Sequence, residues 1–275
     1  MEADFGQKAD SIDYAKLYQS RFPLLRKAYE RSRISENQEF IRFRDENRWW
    51  LDDYALFMAV KSRFEEKAWT EWAEDIRLRY SNAMDYYRRE LYFDIEFHEY
   101  LQFKFIEQWK KLKAYANSQG IRIIGDIPIY VSMDSADAWA NPQLFQLDEE
   151  NKPVAVAGCP PDGFSATGQL WGNPLYRWDY HRETGYQWWI SRLAYCCQLY
   201  DVVRIDHFRG FDEYFSIPAR RPLGKRPWTP AVPGGKSCPW QKRNHSGRSG
   251  IRNRFCTEAG SRLRLSRNES SGICF

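Results

Sequence analysis

Arg204, Asp206, His207 and Arg209 crowd the end of one short apolar run, Val202, Val203 and Ile205, with Gly210 behind them. The β-branched run has the composition of a buried strand. Charged groups in such a strand are costly to desolvate unless they find partners. A structural ion pair between Asp206 and an arginine would meet that need. Four polar or ring groups gathered at the carboxyl end of one apolar strand point further, because that is where barrel enzymes carry their chemistry. Arg204 and Asp206 stand two residues apart, so both side chains leave a strand on the same face. A guanidinium so close favours the charged form of a carboxylate.

The elements that must position these groups are legible on either side. Ile121-Arg-Ile-Ile-Gly-Asp-Ile-Pro-Ile-Tyr-Val131 reads as a strand with Asp126 inside it. Pro128 cannot donate to a ladder, so the strand is expected to end near Asp126 and the chain to turn there. Residues 132 to 178 show few helix signals, and a long segment of that kind in a compact domain is usually functional or disordered. Its lack of low complexity argues against disorder. Gly, Pro and Asn set its turns, and Phe164, Trp171 and Tyr176 supply ring faces. Asp179 then starts a helix expected to run to about Leu199 and feed the Asp206 strand. Strand, crossover helix and strand make a βαβ unit, whose home is a parallel sheet or barrel. The first 117 residues read as mostly helical: 9 to about 31 with Pro23 interrupting or restarting the run, Asp52 to Phe64, and about 82 to 117. The last is dense in rings suited to core packing and stops at Ser118-Gln-Gly120.

Composition narrows the function classes. The 275 residues would fill one α/β barrel or two smaller domains. Aromatics make up 17% of the chain, with 12 Trp and 17 Tyr. Flat rings pack on the C–H faces of sugars, and equally on one another in a core. No apolar run is long enough to span a membrane, and Met1 to Gln7 lacks the basic-then-apolar order of a signal peptide. Six cysteines (Cys159, Cys196, Cys197, Cys238, Cys256 and Cys274) form no CxxC pair and no metal-ligand spacing, so they read as cytoplasmic thiols. The net charge of +4 is uneven: 13 basic and 2 acidic residues lie from Arg220 onward, leaving 28 basic and 35 acidic before it, so the body carries −7 and the tail +11.

The residues to about 219 resemble the amylomaltases, the disproportionating 4-α-glucanotransferases, most specifically in three places. These are Gly125-Asp-Ile-Pro-Ile-Tyr-Val131 running into Asp134-Ser-Ala-Asp-Ala-Trp139, the loop from Pro160 to Tyr176, and Arg204 to Gly210. The resemblance implies an α/β fold, here an incomplete (β/α)₈ barrel with helical insertions, and transfer of α-1,4-glucan segments between maltooligosaccharide acceptors. It makes Asp206 the nucleophile, with Arg204 and His207 its neighbours in the sugar subsite, Asp126 a holder of the reacting sugar, and Trp171 a substrate-binding residue in the loop that shapes the acceptor channel. The mechanism needs a second carboxyl about 5 Å from the nucleophile. No cofactor, metal, membrane or nucleic acid is implied, and the expected location is the cytoplasm.

The departures matter. The family pattern is nearly twice this length, opens on a barrel strand ahead of this stretch, and places its acid/base glutamate in an Ile-Ile-Ala-Glu-Asp-Leu-Gly strand beyond Asp206. The later acids, Glu258 and Glu269, sit in Arg-rich surroundings with no apolar run. Asn244 to Arg252 can be encoded so that reading one base later gives Ile-Ile-Ala-Glu-Asp-Leu-Gly-Phe, and Asn268 to Phe275 admits the same shift. Residues 220–275 are therefore expected to be an out-of-frame, poorly ordered tail behind a partial catalytic barrel at 1–219. The competing functions are an α-glucan hydrolase, in which water resolves the intermediate, and a glucan-binding remnant without chemistry. Nucleic-acid binding by the +11 tail is weakest, because the tail has no motif or amphipathic register.

Overall fold

The computed structural model describes residues 11–219 except 162 and 164, together with the backbone of 229–231 and 272–274. The chain divides into two compact units, residues 1–68 with 72–109, and residues 69–71 with 110–275.

The first unit is helical. α1 (Tyr14–Ser32) opens at Asp13, whose side chain accepts from the Lys16 N–H at 3.1 Å. It continues through Pro23 without the expected interruption. α2 (Gln38–Arg63) begins well before the expected Asp52, because Asn37 caps it by accepting from the N–H groups of Glu39 and Phe40 at 2.9 and 3.0 Å. After α3 (Glu74–Arg77), the single helix expected from 82 to 117 is two, α4 (Ser81–Glu90) and α5 (Tyr92–Ser118). The break falls at Leu91, which leaves helical geometry while its side chain is buried. Phe40, Phe43 and Phe103 meet in the core at ring separations of 5.5 and 5.6 Å. α5 also buries three titratable groups, Glu96, His98 and Glu99. Glu96 is well served, accepting from Tyr29 Oη at 2.7 Å and Ser35 Oγ at 3.1 Å. Arg44 Nε lies 2.9 Å from Glu99 Oε2, close enough for an ion pair but not aligned as a hydrogen bond. Burial raises the Glu99 carboxyl to about 7 and lowers the His98 imidazole to about 4.

The second unit is α/β. β1 (Ile124–Pro128) leads to α6 (Ala136–Ala140), then to β2 (Ala155–Cys159) and β3 (Gln169–Pro174). α7 (Trp178–Glu183) and α8 (Gln187–Leu199) follow, divided at Tyr186 in the left-handed region (φ 57°), where one helix was expected. β4 (Val202–Asp206) and β5 (Tyr214–Pro218) complete the well-formed strands, with β6 (Thr229–Ala231) and β7 (Gly272–Cys274) described as backbone. A parallel sheet runs in the order β1-β4-β7, and an antiparallel one in the order β3-β2-β5-β6. β2 and β3 lie in the segment with few sequence signals. β2 buries Ala155 to Gly158 in succession, so it shows no alternation to read.

The expected βαβ unit is present. β1 and β4 pair in parallel, with Asp126 opposite Arg204 and Pro128 opposite Asp206. β1 does not end near Asp126; Pro128 is its last residue. Among the described residues it is the outer strand of its sheet, where a missing N–H need not break a ladder. Gly125 stands where the Tyr200 ring crosses the strand: a Cβ there would fall 2.0 to 2.4 Å from ring carbons. Asp201 ties the unit together, accepting from Lys113 Nζ, Asn117 Nδ2 and the Ile123 N–H, each at 2.8 Å. Burial would raise this carboxyl, but the Ile123, Lys113 and Asn117 donors overcome it and hold the group at about 2.

Alternation then decides which side chains do what. Ile127, Val203 and Ile205 turn to one face and pack on Leu193 and Cys196 of α8. The opposite face carries Asp126, Arg204 and Asp206, all exposed. Cys159, Cys196 and Cys197 are free thiols. No helix among the described residues is long and apolar enough to cross a membrane.

Candidate active site

The site is built on the β1–β4 register. Arg204 Nη1 donates to Asp126 Oδ2 at 2.5 Å across the strand pair, and its Nη2 donates to Asp206 Oδ1 at 3.4 Å along its own strand. One guanidinium thus touches both carboxylates. The side chains are 52% exposed for Asp126, 54% for Arg204 and 59% for Asp206. Ion pairs this open to water add little to stability, so the row is free to exchange its partners for a polar ligand.

His207 follows at once, in the left-handed region (φ 53°), and turns the chain out of β4 into a 3₁₀ turn over Phe208–Phe211. Its ring lies 5.0 Å from that of Trp171, edge to face at 82°. Burial lowers the imidazole below its ordinary range; Asp206 works against the shift and Arg209 with it. Trp171, on β3, donates its Nε1–H to Gln169 Oε1 at 3.0 Å. Arg209 faces away into an exposed pair with Glu213 at 2.9 Å. Of the five residues singled out in the sequence, three form one ion cluster and two form one ring contact, joined by the Asp206–His207 peptide. Phe164 lies outside the described residues, as do Glu258 and Glu269.

Three residues at this site, Tyr130, Arg192 and Asn173, escaped the reading of single positions, and Gly210, noted there only as following the polar groups, has a packing role. Tyr130 meets the rings of both His207 (6.5 Å) and Trp171 (6.3 Å). Arg192 of α8 donates to Pro128 O at 2.7 Å and Ile129 O at 3.3 Å. Asn173 Nδ2 donates to Val131 O at 2.8 Å. Gly210 sits where a Cβ would meet Ile129 Cδ1 at 2.9 Å and His207 Cδ2 at 3.2 Å. Tyr130 and Asn173 stand inside two of the three motifs, so closeness to a motif was their signal. Arg192 had none.

Parallel strands backed by a helix, with a row of carboxylates and a guanidinium on the other face, define an α/β protein with its ionic groups gathered at the strand ends. Residues 2–263 match the sequence profile of glycoside hydrolase family 77, 4-alpha-glucanotransferase, and the chain belongs to that family. It is 50% identical over 218 residues to the 4-alpha-glucanotransferase of Streptococcus pneumoniae, a match covering 78% of this chain and 43% of that protein. To the Thermus thermophilus 4-alpha-glucanotransferase it is 45% identical over 237 residues, covering 85% of this chain and 47% of that one. Among solved structures it resembles the amylomaltase from Streptococcus agalactiae in complex with acarbose, at 44% identity and a TM-score of 0.77, over 82% of this chain and 46% of that chain. The chain thus spans less than half the length of these relatives.

Proposed function

We propose that this chain carries the nucleophile and the sugar-holding groups of a retaining 4-α-glucanotransferase, on an incomplete (β/α)₈ barrel with helical insertions. The observation that carries this is the single Arg204 guanidinium joining Asp126 and Asp206 on neighbouring parallel strands. One sugar ring can reach both carboxylates. An Asp206 oxygen attacks the anomeric carbon; the glycosidic C–O bond breaks, and the departing oxygen takes a proton from a general acid. The 4-hydroxyl of an acceptor glucan then gives its proton back to that acid's conjugate base and attacks the same carbon, releasing Asp206. Arg204 keeps the nucleophile placed, Asp126 holds hydroxyls of the reacting sugar, and His207 and Trp171 border the subsite. The substrates are maltooligosaccharides and longer α-1,4-glucans, and no cofactor takes part. The free thiols and the substrate class support a cytoplasmic setting.

Both steps need the second carboxyl, and general acid–base help contributes about 10²- to 10⁴-fold. The acids that follow Glu213 in the sequence, Glu258 and Glu269, stand in the +11 segment, which we propose is translated out of frame from about residue 220. The 275-residue chain is therefore expected to bind glucan without transferring it, while a form spanning the length of its relatives transfers. Incubation of each with maltotriose, followed by analysis for glucose and longer oligomers, is the test. A product ladder from the 275-residue chain that disappears in Asp206→Asn would show that another residue supplies the proton. Sequencing the coding DNA across codons 215 to 275 checks the frame.

A further inference from the structure

We propose that Tyr130 is a positioning residue of this site: its ring holds the His207 imidazole and the Trp171 indole in one mutual orientation beside Asp206. Its catalytic meaning rests on the glucan-transfer function proposed above, but its physical content does not. The turn that presents Tyr130 is clamped from three places. Arg192 holds the carbonyls of Pro128 and Ile129, Tyr176 Oη donates to Ile129 O at 2.6 Å, and Asn173 holds Val131 O. The carbonyls on both sides of Tyr130 are thus fixed by donors from α8, from β3 and from the segment after β3.

The ring so placed is buried and nearly parallel to Tyr176, at 5.9 Å and 19°. Its contacts with Trp171 and His207, and the edge-to-face contact between those two, close a triangle of three rings. Among the described residues no hydrogen bond orients the His207 imidazole, so ring packing must. Gly210 completes the fit. With no Cβ it lets the 3₁₀ turn close on Ile129, His207 and Tyr130; a methyl there would come within 3.4 Å of Tyr130 Oη as well. The groups that act electrostatically on His207 are Asp206 and Arg209, both on its own segment. Tyr130 adds a phenol that burial pushes far above its ordinary range, so it stays neutral and acts through shape.

The test uses the 275-residue chain with ¹⁵N-labelled histidine, following the His207 ring resonances against pH and assigning them with His207→Gln. Tyr130→Ala opens the pocket to water and is expected to raise the His207 midpoint by about 0.5 unit or more, because lost burial relieves the charged form. Tyr130→Phe keeps the ring and is expected to leave the midpoint in place. The pH-dependent part of Trp171 emission, taken as the difference from Trp171→Phe, should be lost in the alanine variant and kept in the phenylalanine one. Tyr130→Leu, smaller than tyrosine and without an aromatic face, also leaves part of the ring's space to water and replaces alanine should that variant fail to fold. An unmoved midpoint and unchanged emission in Tyr130→Ala or Tyr130→Leu would overturn the proposal, as would equal shifts in the Phe and Ala variants. Expected shifts in a protein that transfers no glucan at relatives' length would leave Tyr130's role standing and sink the proposed reaction alone.

Discussion

The chain keeps two groups of ionisable side chains in opposite surroundings. On β1 and β4, Asp126, Arg204 and Asp206 are each more than half exposed and share one guanidinium. On α5, Glu96, His98 and Glu99 are 4%, 6% and 3% exposed. Water screens the first group and leaves it able to trade one partner for another. The second must be satisfied inside the protein or give up its charge. Glu96 is satisfied by three hydroxyls, those of Tyr29, Ser35 and Tyr92; Glu99 and His98 answer by shifting their titrations in opposite directions, each toward the neutral form. The difference shows that local burial, rather than residue type, separates charges that can serve a ligand from charges that shape a fold.

The largest effect that would sharpen this contrast is functional. In a form of relatives' length, Asp206→Asn is expected to cut glucan transfer by on the order of 10³-fold or more, since the proposed nucleophile is removed. Its unfolding free energy should stay within about 0.5 kcal/mol, because an exposed pair is lost. Chemical denaturation reads the second quantity, and a loss of several kcal/mol would make the exposed row structural.

Next in size is Arg44→Ala. Removing the partner of a buried charge costs about 3–5 kcal/mol when both are dry. The Arg44 side chain is 37% exposed, so a loss of about 2 kcal/mol is expected at pH 8. At pH 5 the loss should be less than half of that, because Glu99 is then largely protonated. Equal losses at the two pH values would show that Arg44 acts through packing alone.

The smallest effects are in the pH profile of stability. The Glu99 carboxyl is raised, so the native state holds its proton more tightly than the unfolded chain does. Its contribution is full below about pH 4.5 and is lost as pH rises to about 7. His98 is lowered, so it acts the other way, and its contribution is lost as pH falls from 6.5 toward 4. Asp201, depressed from 3.8 to about 2, loses its contribution as pH falls through that window. Glu99→Gln should remove the decline between pH 4.5 and 7, leaving stability that only rises across this range. Asp201→Asn should flatten the limb below pH 4. A Glu99→Gln profile that still declines toward pH 7 would place the titrating group elsewhere.

The linear sequence determined the parts of this protein that depend on neighbours along the chain. The β-branched run that carries Arg204 and Asp206 read as a strand, and two-residue spacing put those two side chains on one face. The crossover between two such runs required a parallel pair. What only the tertiary structure decided depends on neighbours distant in sequence. The β1–β4 register set Arg204 opposite Asp126, so one guanidinium serves two strands. Asn37 set the start of α2 by capping it well before Asp52, and β2 hid because burial on both faces removes alternation. Tyr130, Arg192, Asn173 and Gly210 gained their places from rings and carbonyls brought together by folding. Spacing along a strand reports direction; contact between strands and helices follows from packing, which no single stretch of sequence contains.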